Sequence, residues 1–186
     1  MSNDISTAKT TEPATDSASA TDSAPGSGSA ADARVVPPVR CAVDTLAPHI
    51  NRAMNALDAA SRKVGLEAPL LELVRTRASQ LNGCAYCVDT HTKDARSGGE
   101  SEQRLHALAV WRETPFFTTR ERAALALTEA ATRLTDGSVS DTVVDEAAEH
   151  FGPTELAELL WTITVINAWN RLGAVARPWP LAVSGA

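Results

Sequence analysis

The sequence predicts an all-α fold, a single helical bundle domain behind a low-complexity tail. Three observations carry this. Apolar residues recur at three- and four-residue steps in nearly every segment after residue 40. No segment shows the strict apolar–polar alternation of a half-buried strand. The connections between periodic segments are short, which favours antiparallel neighbouring helices.

Residues 1–36 are mostly Ser, Thr, Ala, Asp and Gly, with no Leu, Phe, Trp or Tyr and no Val before Val35. Such a segment cannot bury enough apolar surface to offset the entropy of ordering, so it is expected to be a disordered tail. Pro37-Pro38 closes it, and residues 37–186 form the domain.

The first helical segment, about 41–63, places Val43, Leu46, Ile50, Met54 and Leu57 on one face. Pro48 either kinks it or marks the true helix start, and Gly65 closes the run. Pro69 sits in the first turn of the next helix, about 68–81, with Leu71, Val74, Ala78 and Leu81 inward. Asn82-Gly83 stops it. A helix from Cys84 to Arg96 follows, ending before Gly98-Gly99.

A short helix covers about 101–110. Thr118 with Glu121 forms a capping box ahead of a helix at about 119–134. Asp136-Gly137 is a turn, and Ser138 with Asp141 forms a weaker cap before a helix at about 139–150. Gly152-Pro153 opens the last helix, about 154–175. Leu156, Leu159, Leu160, Ile163, Val165 and Ile166 make that helix apolar on most sides, so it is expected at the centre or at an interface.

Composition excludes several function classes. The net charge is −6 and no Lys/Arg cluster occurs, which argues against a nucleic-acid partner. No apolar run reaches the roughly 18 residues of a membrane span. The first residues show no secretory pattern, and five acids there are wrong for a transit peptide. Three cysteines are too few, and odd in number, for a secreted disulfide framework. A cytoplasmic location is therefore expected, where a C-x-x-C points to redox or metal chemistry.

The informative segment runs from Leu71 to Ala95. Cys84 stands at a helix start, where free N–H groups and the positive dipole end favour a thiolate. On this ground alone Cys84 would be the more acidic thiol. Cys87 lies one turn on, and His91 four residues further. At about 100° per residue, the three fall within roughly 60° around the helix axis. Val88 and Ala95 share that face, so it should point into protein. An imidazole stacked on a cysteine can take the thiol proton. Glu72, on the preceding helix with Arg75, Thr76 and Ser79, can orient that imidazole if the two helices pack as a hairpin.

Other readings of the same residues exist. A zinc site needs four ligands, and only Cys84, Cys87 and His91 are well placed, with Glu72 a poor fourth. Glu72 could simply pair with Arg75. Cys41 reads as a buried small hydrophobe. His49, His106 and His150 sit at ordinary helix positions. Trp111, Trp161, Trp169 and Trp179 read as core or subunit contacts.

The array Glu72-x11-Cys84-x2-Cys87-x3-His91, within VRTRASQLNGCAYC, resembles the alkylhydroperoxidase AhpD-like branch of the carboxymuconolactone decarboxylase superfamily. The likeness covers roughly residues 40–180, including the stretch from Gly98 to Ala130 and INAWNRLG from Ile166 to Gly173. It implies an all-helical homo-oligomer, a trimer or hexamer, that reduces hydroperoxides with a dithiol. It implies that Cys87 attacks the peroxide, that Cys84 resolves the sulfenic acid as a disulfide, and that His91 and Glu72 relay the proton. No bound cofactor is implied; the electrons come from an external dithiol such as a lipoyl protein. The best-known members carry a histidine between the cysteines where this chain has Tyr86, which bears on reductant and rate. Decarboxylase members lack the C-x-x-C, so ring-lactone decarboxylation is not implied. The alternative function is a thiol–disulfide oxidoreductase or redox sensor acting on disulfides rather than peroxides.

Overall fold

The computed structural model describes residues 35–182, and the account below concerns those residues. The tail expected over residues 1–36 lies outside them except for Val35 and Val36, which have no regular structure. Every regular element among the described residues is helical. They are α1 (Val43–Leu46), α2 (Pro48–Ser61), α3 (Ala68–Leu81), α4 (Ala85–Ser97), α5 (Glu102–Ala107), α6 (Thr119–Thr132), α7 (Asp141–Ala148) and α8 (Pro153–Ala176). Two 3-10 turns follow α5 and α6.

The punctuation residues act locally. Pro48 breaks the first segment into α1 and α2 and occupies the first turn of α2, where its missing N–H costs nothing. Pro69 and Pro153 do the same for α3 and α8. Thr118 and Glu121 form the reciprocal capping box of α6. The cap of α7 is Ser140, whose hydroxyl accepts from the Thr142 N–H, and not Ser138. The expected helix at 101–110 stops at Ala107 and tightens into a 3-10 turn interrupted at Val110.

α3 is the central element. It packs on α4, α6 and α8, and Leu70, Leu71, Leu73, Val74 and Ala78 are all buried. Its Arg75, Thr76, Arg77 and Ser79 are buried too, so its expected polar stripe is not a solvated face. The main core joins α3, α6, α7 and α8 through Leu71, Val74, Leu127, Ala147, Leu159 and Ile163, with Phe151 beside them. The last helix is only half enclosed: Ile163, Val165 and Ile166 are inside, whereas Trp161 and Val175 are exposed. The apolar face of α1 and α2 is likewise open, with Leu46 75% and Ile50 62% exposed. Periodicity marks that face as apolar, and no element among the described residues covers Leu46 or Ile50.

At the end of α8, Arg177 takes a left-handed conformation (φ 46°), which turns the chain back over the bundle. The carbonyl of Ala176 accepts from the N–H groups of Arg40 and Cys41 at 2.9 and 3.0 Å. Cys41 therefore lies on an extended surface strand of chain, and its thiol is exposed rather than buried as a small hydrophobe.

Candidate active site

α3 and α4 form a hairpin whose tight turn contains Gly83 in the left-handed region (φ 64°). Cys84 is the N-cap of α4, and its sulfur accepts from the Cys87 N–H at 3.3 Å. Cys87 falls in the first turn. Both sulfurs thus lie at the N-terminal start of the helix, beside its free N–H groups. In this structure the two sulfurs are joined as a disulfide. They sit in a small apolar cluster with Ala78, Ile166 and Trp169.

Gly173 of α8 presses on this pair from the other side. A Cβ added there would stand 2.5 Å from the Cys84 Sγ and 3.5 Å from the Cys87 Sγ. Only a glycine lets the α8 backbone approach the disulfide this closely. Cys84 is consequently sealed, whereas Cys87 borders a cavity.

His91 is buried one turn beyond Cys87, and its Nδ1 lies 2.8 Å from Glu72 Oε2. The other Glu72 oxygen accepts from Arg75 at 2.7 Å. Arg75 is itself buried and donates a second bond to the Ser61 carbonyl at 3.2 Å. Burial pushes the Glu72 carboxyl up, but His91 and Arg75 together outweigh it and hold it below its ordinary value. An ionised Glu72 fixes the proton of a neutral His91 on Nδ1 and leaves Nε2 free as an acceptor.

Glu72, His91 and Asp94 bring possible metal-ligand atoms within 4.8 Å of one another. That group does not fit a cation well. Glu72 is already shared between Arg75 and His91, and the Arg62 guanidinium stands 3.9 Å from Glu72 and 3.8 Å from Asp94. Neither cysteine belongs to the group.

A polar cluster anchors the hairpin turn. The Asn82 side chain donates to the Ala78 carbonyl and to Asn167 Oδ1, both at 2.9 Å. Asn170 is fully buried, with its side-chain amide 3.0 Å from the Ser79 hydroxyl. Arg171 donates to the Asn167 carbonyl. These residues brace α8 against the turn that carries Cys84.

The cavity beside Cys87 has a volume of about 270 Å³. His91, Ile166 and Tyr86 line it, along with Trp169 and Trp179. Trp179 packs on Tyr86 and Trp169 at ring-centroid distances of 5.1 and 5.6 Å. Asn51, Asn55, Asp58 and Arg62 form its polar side. Trp169 and Trp179 therefore face the candidate site, whereas the sequence suggested core or subunit contacts. On the opposite side of the hairpin a second depression touches Cys84, between Gly83, Ala85 and Asp89.

The hairpin thus brings together all four residues singled out in the sequence: Glu72, Cys84, Cys87 and His91. Sequence reasoning offered the Glu72–Arg75 pair as an alternative to the Glu72–His91 contact, whereas both form at once and the arginine is buried; it did not find Gly173 or Trp179 as site contacts. A signal existed for Gly173, since a glycine inside a long apolar helix is costly unless a close approach requires it.

Residues 48–130 match the Carboxymuconolactone decarboxylase family. The uncharacterized protein YdfG of Bacillus subtilis is 36% identical over 127 residues, which span 68% of this chain and 86% of YdfG. A crystal structure from Agrobacterium tumefaciens, of a protein of unknown function and candidate AhpD antioxidant defence protein, is 34% identical. It superposes with a TM-score of 0.76 over 78% of this chain and all of that one. An uncharacterized peroxidase-related protein with an alkylhydroperoxidase AhpD core, from Ralstonia eutropha JMP134, shares the fold at 20% identity. Its TM-score is 0.66, over 75% of this chain and 74% of its own.

Proposed function

This chain is an AhpD-like member of the carboxymuconolactone decarboxylase family, and from that premise we propose that it is a thiol-dependent hydroperoxide reductase. The observation that carries the reading is Cys87. It belongs to a closed dithiol–disulfide pair, and it borders the same cavity as His91, whose far nitrogen is held by Glu72.

The chemistry follows from these groups. His91 Nε2 takes the proton of the Cys87 thiol. The thiolate attacks the terminal peroxide oxygen; an S–O bond forms and the O–O bond breaks. The departing alkoxide takes the proton from His91 and leaves as the alcohol, and Cys87 becomes a sulfenic acid. The Cys84 sulfur then attacks Cys87; the S–S bond forms and the hydroxyl leaves as water. An external dithiol, such as a lipoyl group on a protein, reduces the disulfide in two exchange steps and is itself oxidised.

The same reading takes the assembly to be a homo-oligomer, supported by the open apolar residues Leu46, Ile50, Leu57, Trp161 and Val175. No helix among the described residues is long and apolar enough to cross a membrane.

A single-turnover experiment tests the reaction. The reduced protein is mixed with one equivalent of cumene hydroperoxide and free thiols are counted. The proposal expects two thiols lost per peroxide, with Cys41 unchanged. Retention of both thiols against peroxide, with loss of both to a small disulfide, would instead favour the oxidoreductase alternative.

A further inference from the structure

The cavity beside Cys87 has two unlike sides, and together they state what it accepts. On one side, with Ile166, stand three aromatic rings, Trp179 packing on both Tyr86 and Trp169. Trp179 reaches this place only because Arg177 turns the chain back beyond α8. Hydrogen peroxide has no use for such a wall. A ring or branched alkyl group does, since it leaves water and meets aromatic faces. The volume of about 270 Å³ is slightly below the range of drug-sized pockets and suits a single-ring molecule.

The other side sets the charge. Arg62 is the cation on the cavity wall, and Asp58 already pairs with it at 2.8 Å. Glu72 and Asp94 approach the same guanidinium from α3 and α4, and Arg75 is committed to Glu72. An anionic ligand would therefore meet carboxylates whose cations are already taken. Asn51 and Asn55 offer neutral hydrogen-bonding groups on the same side.

We propose that Tyr86, Trp169 and Trp179 form the subsite for the organic group of the substrate, selecting neutral, single-ring-sized hydroperoxides over hydrogen peroxide and over anionic fatty-acid hydroperoxides. This rests on the peroxidase reading for its reaction but not for its binding. Trp179 is the specificity-determining residue with the clearest test, because it lies outside the helices.

The experiment measures kcat/KM for cumene hydroperoxide, hydrogen peroxide and linoleic acid hydroperoxide with dihydrolipoamide as reductant. It uses the wild type, Trp179→Ala and Trp179→Phe, with circular dichroism as a check on folding. In parallel, binding of the unreactive alcohol 2-phenyl-2-propanol is followed by ligand-observed NMR. The expected result is a wild-type preference for cumene hydroperoxide over both others. The cumene-to-hydrogen-peroxide ratio should fall about tenfold in Trp179→Ala and largely return in Trp179→Phe, with alcohol binding lost only in the alanine variant. A folded Trp179→Ala protein with an unchanged ratio and unchanged alcohol binding overturns the subsite. Alcohol binding that depends on Trp179, with no turnover of any peroxide, overturns the peroxidase reading and leaves the subsite standing. No turnover and no binding overturns both.

Discussion

Glu72 and His91 face each other across the α3–α4 hairpin, with a carboxylate oxygen 2.8 Å from Nδ1. The contact decides which imidazole nitrogen carries the proton, and so whether the other can serve Cys87. Glu72→Gln keeps the shape, but an amide can turn its N–H₂ toward Nδ1 and stabilise the opposite tautomer. The expected outcome is a loss of about 10²-fold in peroxide turnover with the helical circular dichroism spectrum retained. Turnover within twofold of wild type would remove Glu72 from the relay.

The same pair predicts a pH dependence of stability. The folded-state pKa of Glu72 lies below its ordinary value. Its contribution is therefore fully present above the unfolded carboxylate pKa, about 4.3, and is lost as pH falls through the lower folded value. In urea unfolding of wild type and Glu72→Gln, the stability difference should narrow as pH falls below about 4. A difference that widens on acidification would contradict this assignment.

Gly173→Ala sets two effects against each other. In a helix interior, Ala is favoured over Gly by roughly 0.5–1 kcal/mol. Here the new methyl would stand 2.5 Å from the Cys84 Sγ, and overpacking typically costs about 1–3 kcal/mol. The clash should win. The variant is expected to melt at a lower temperature than wild type and to close its disulfide more slowly. A raised melting temperature would show that α8 moves away from the dithiol easily.

Asn170 has no exposed surface, and its amide meets Ser79 and Asn82. Asn170→Ala removes this bridge, while Ser79 keeps its bond to the Arg75 carbonyl and Asn82 its bonds to Ala78 and Asn167, and it opens a buried void, at a cost of about 2 kcal/mol. Chemical denaturation measures it. A cost under 0.5 kcal/mol would mean that water or a side-chain rearrangement replaces the amide.

The open face of α1 and α2 predicts assembly. Sedimentation velocity at micromolar concentration should find a homo-oligomer, and Ile50→Glu should shift it toward monomer by placing a charge in an apolar contact. A wild-type monomer at that concentration would contradict it.

Much of this arrangement is legible in the sequence because it depends on local chemistry. Pro48, Pro69 and Pro153 mark helix starts through backbone geometry, and the Thr118–Glu121 box is a four-residue device. The common face of Cys84, Cys87 and His91 follows from helical spacing, and Glu72 joins it once α3 and α4 pair. What escaped the sequence depends on distant partners. Trp179 reaches the cavity through the turn at Arg177, which no periodicity encodes. Arg75 and Thr76 look like a solvated stripe until α3 proves central and buries them. Ser138 and Ser140 are equally plausible caps by composition, and only the backbone path selects Ser140. The Leu46–Ile50 face is readable as apolar, but periodicity does not say what covers it.

The central claim is that peroxide reduction runs through the Cys84–Cys87 pair. The most direct measurement is steady-state consumption of cumene hydroperoxide with dihydrolipoamide by wild type, Cys87→Ser and Cys84→Ser. The account predicts turnover by wild type, no reaction of peroxide with Cys87→Ser, and in Cys84→Ser a single oxidation at Cys87 that stalls as a sulfenic acid. Peroxide turnover by Cys87→Ser at the wild-type rate would contradict it.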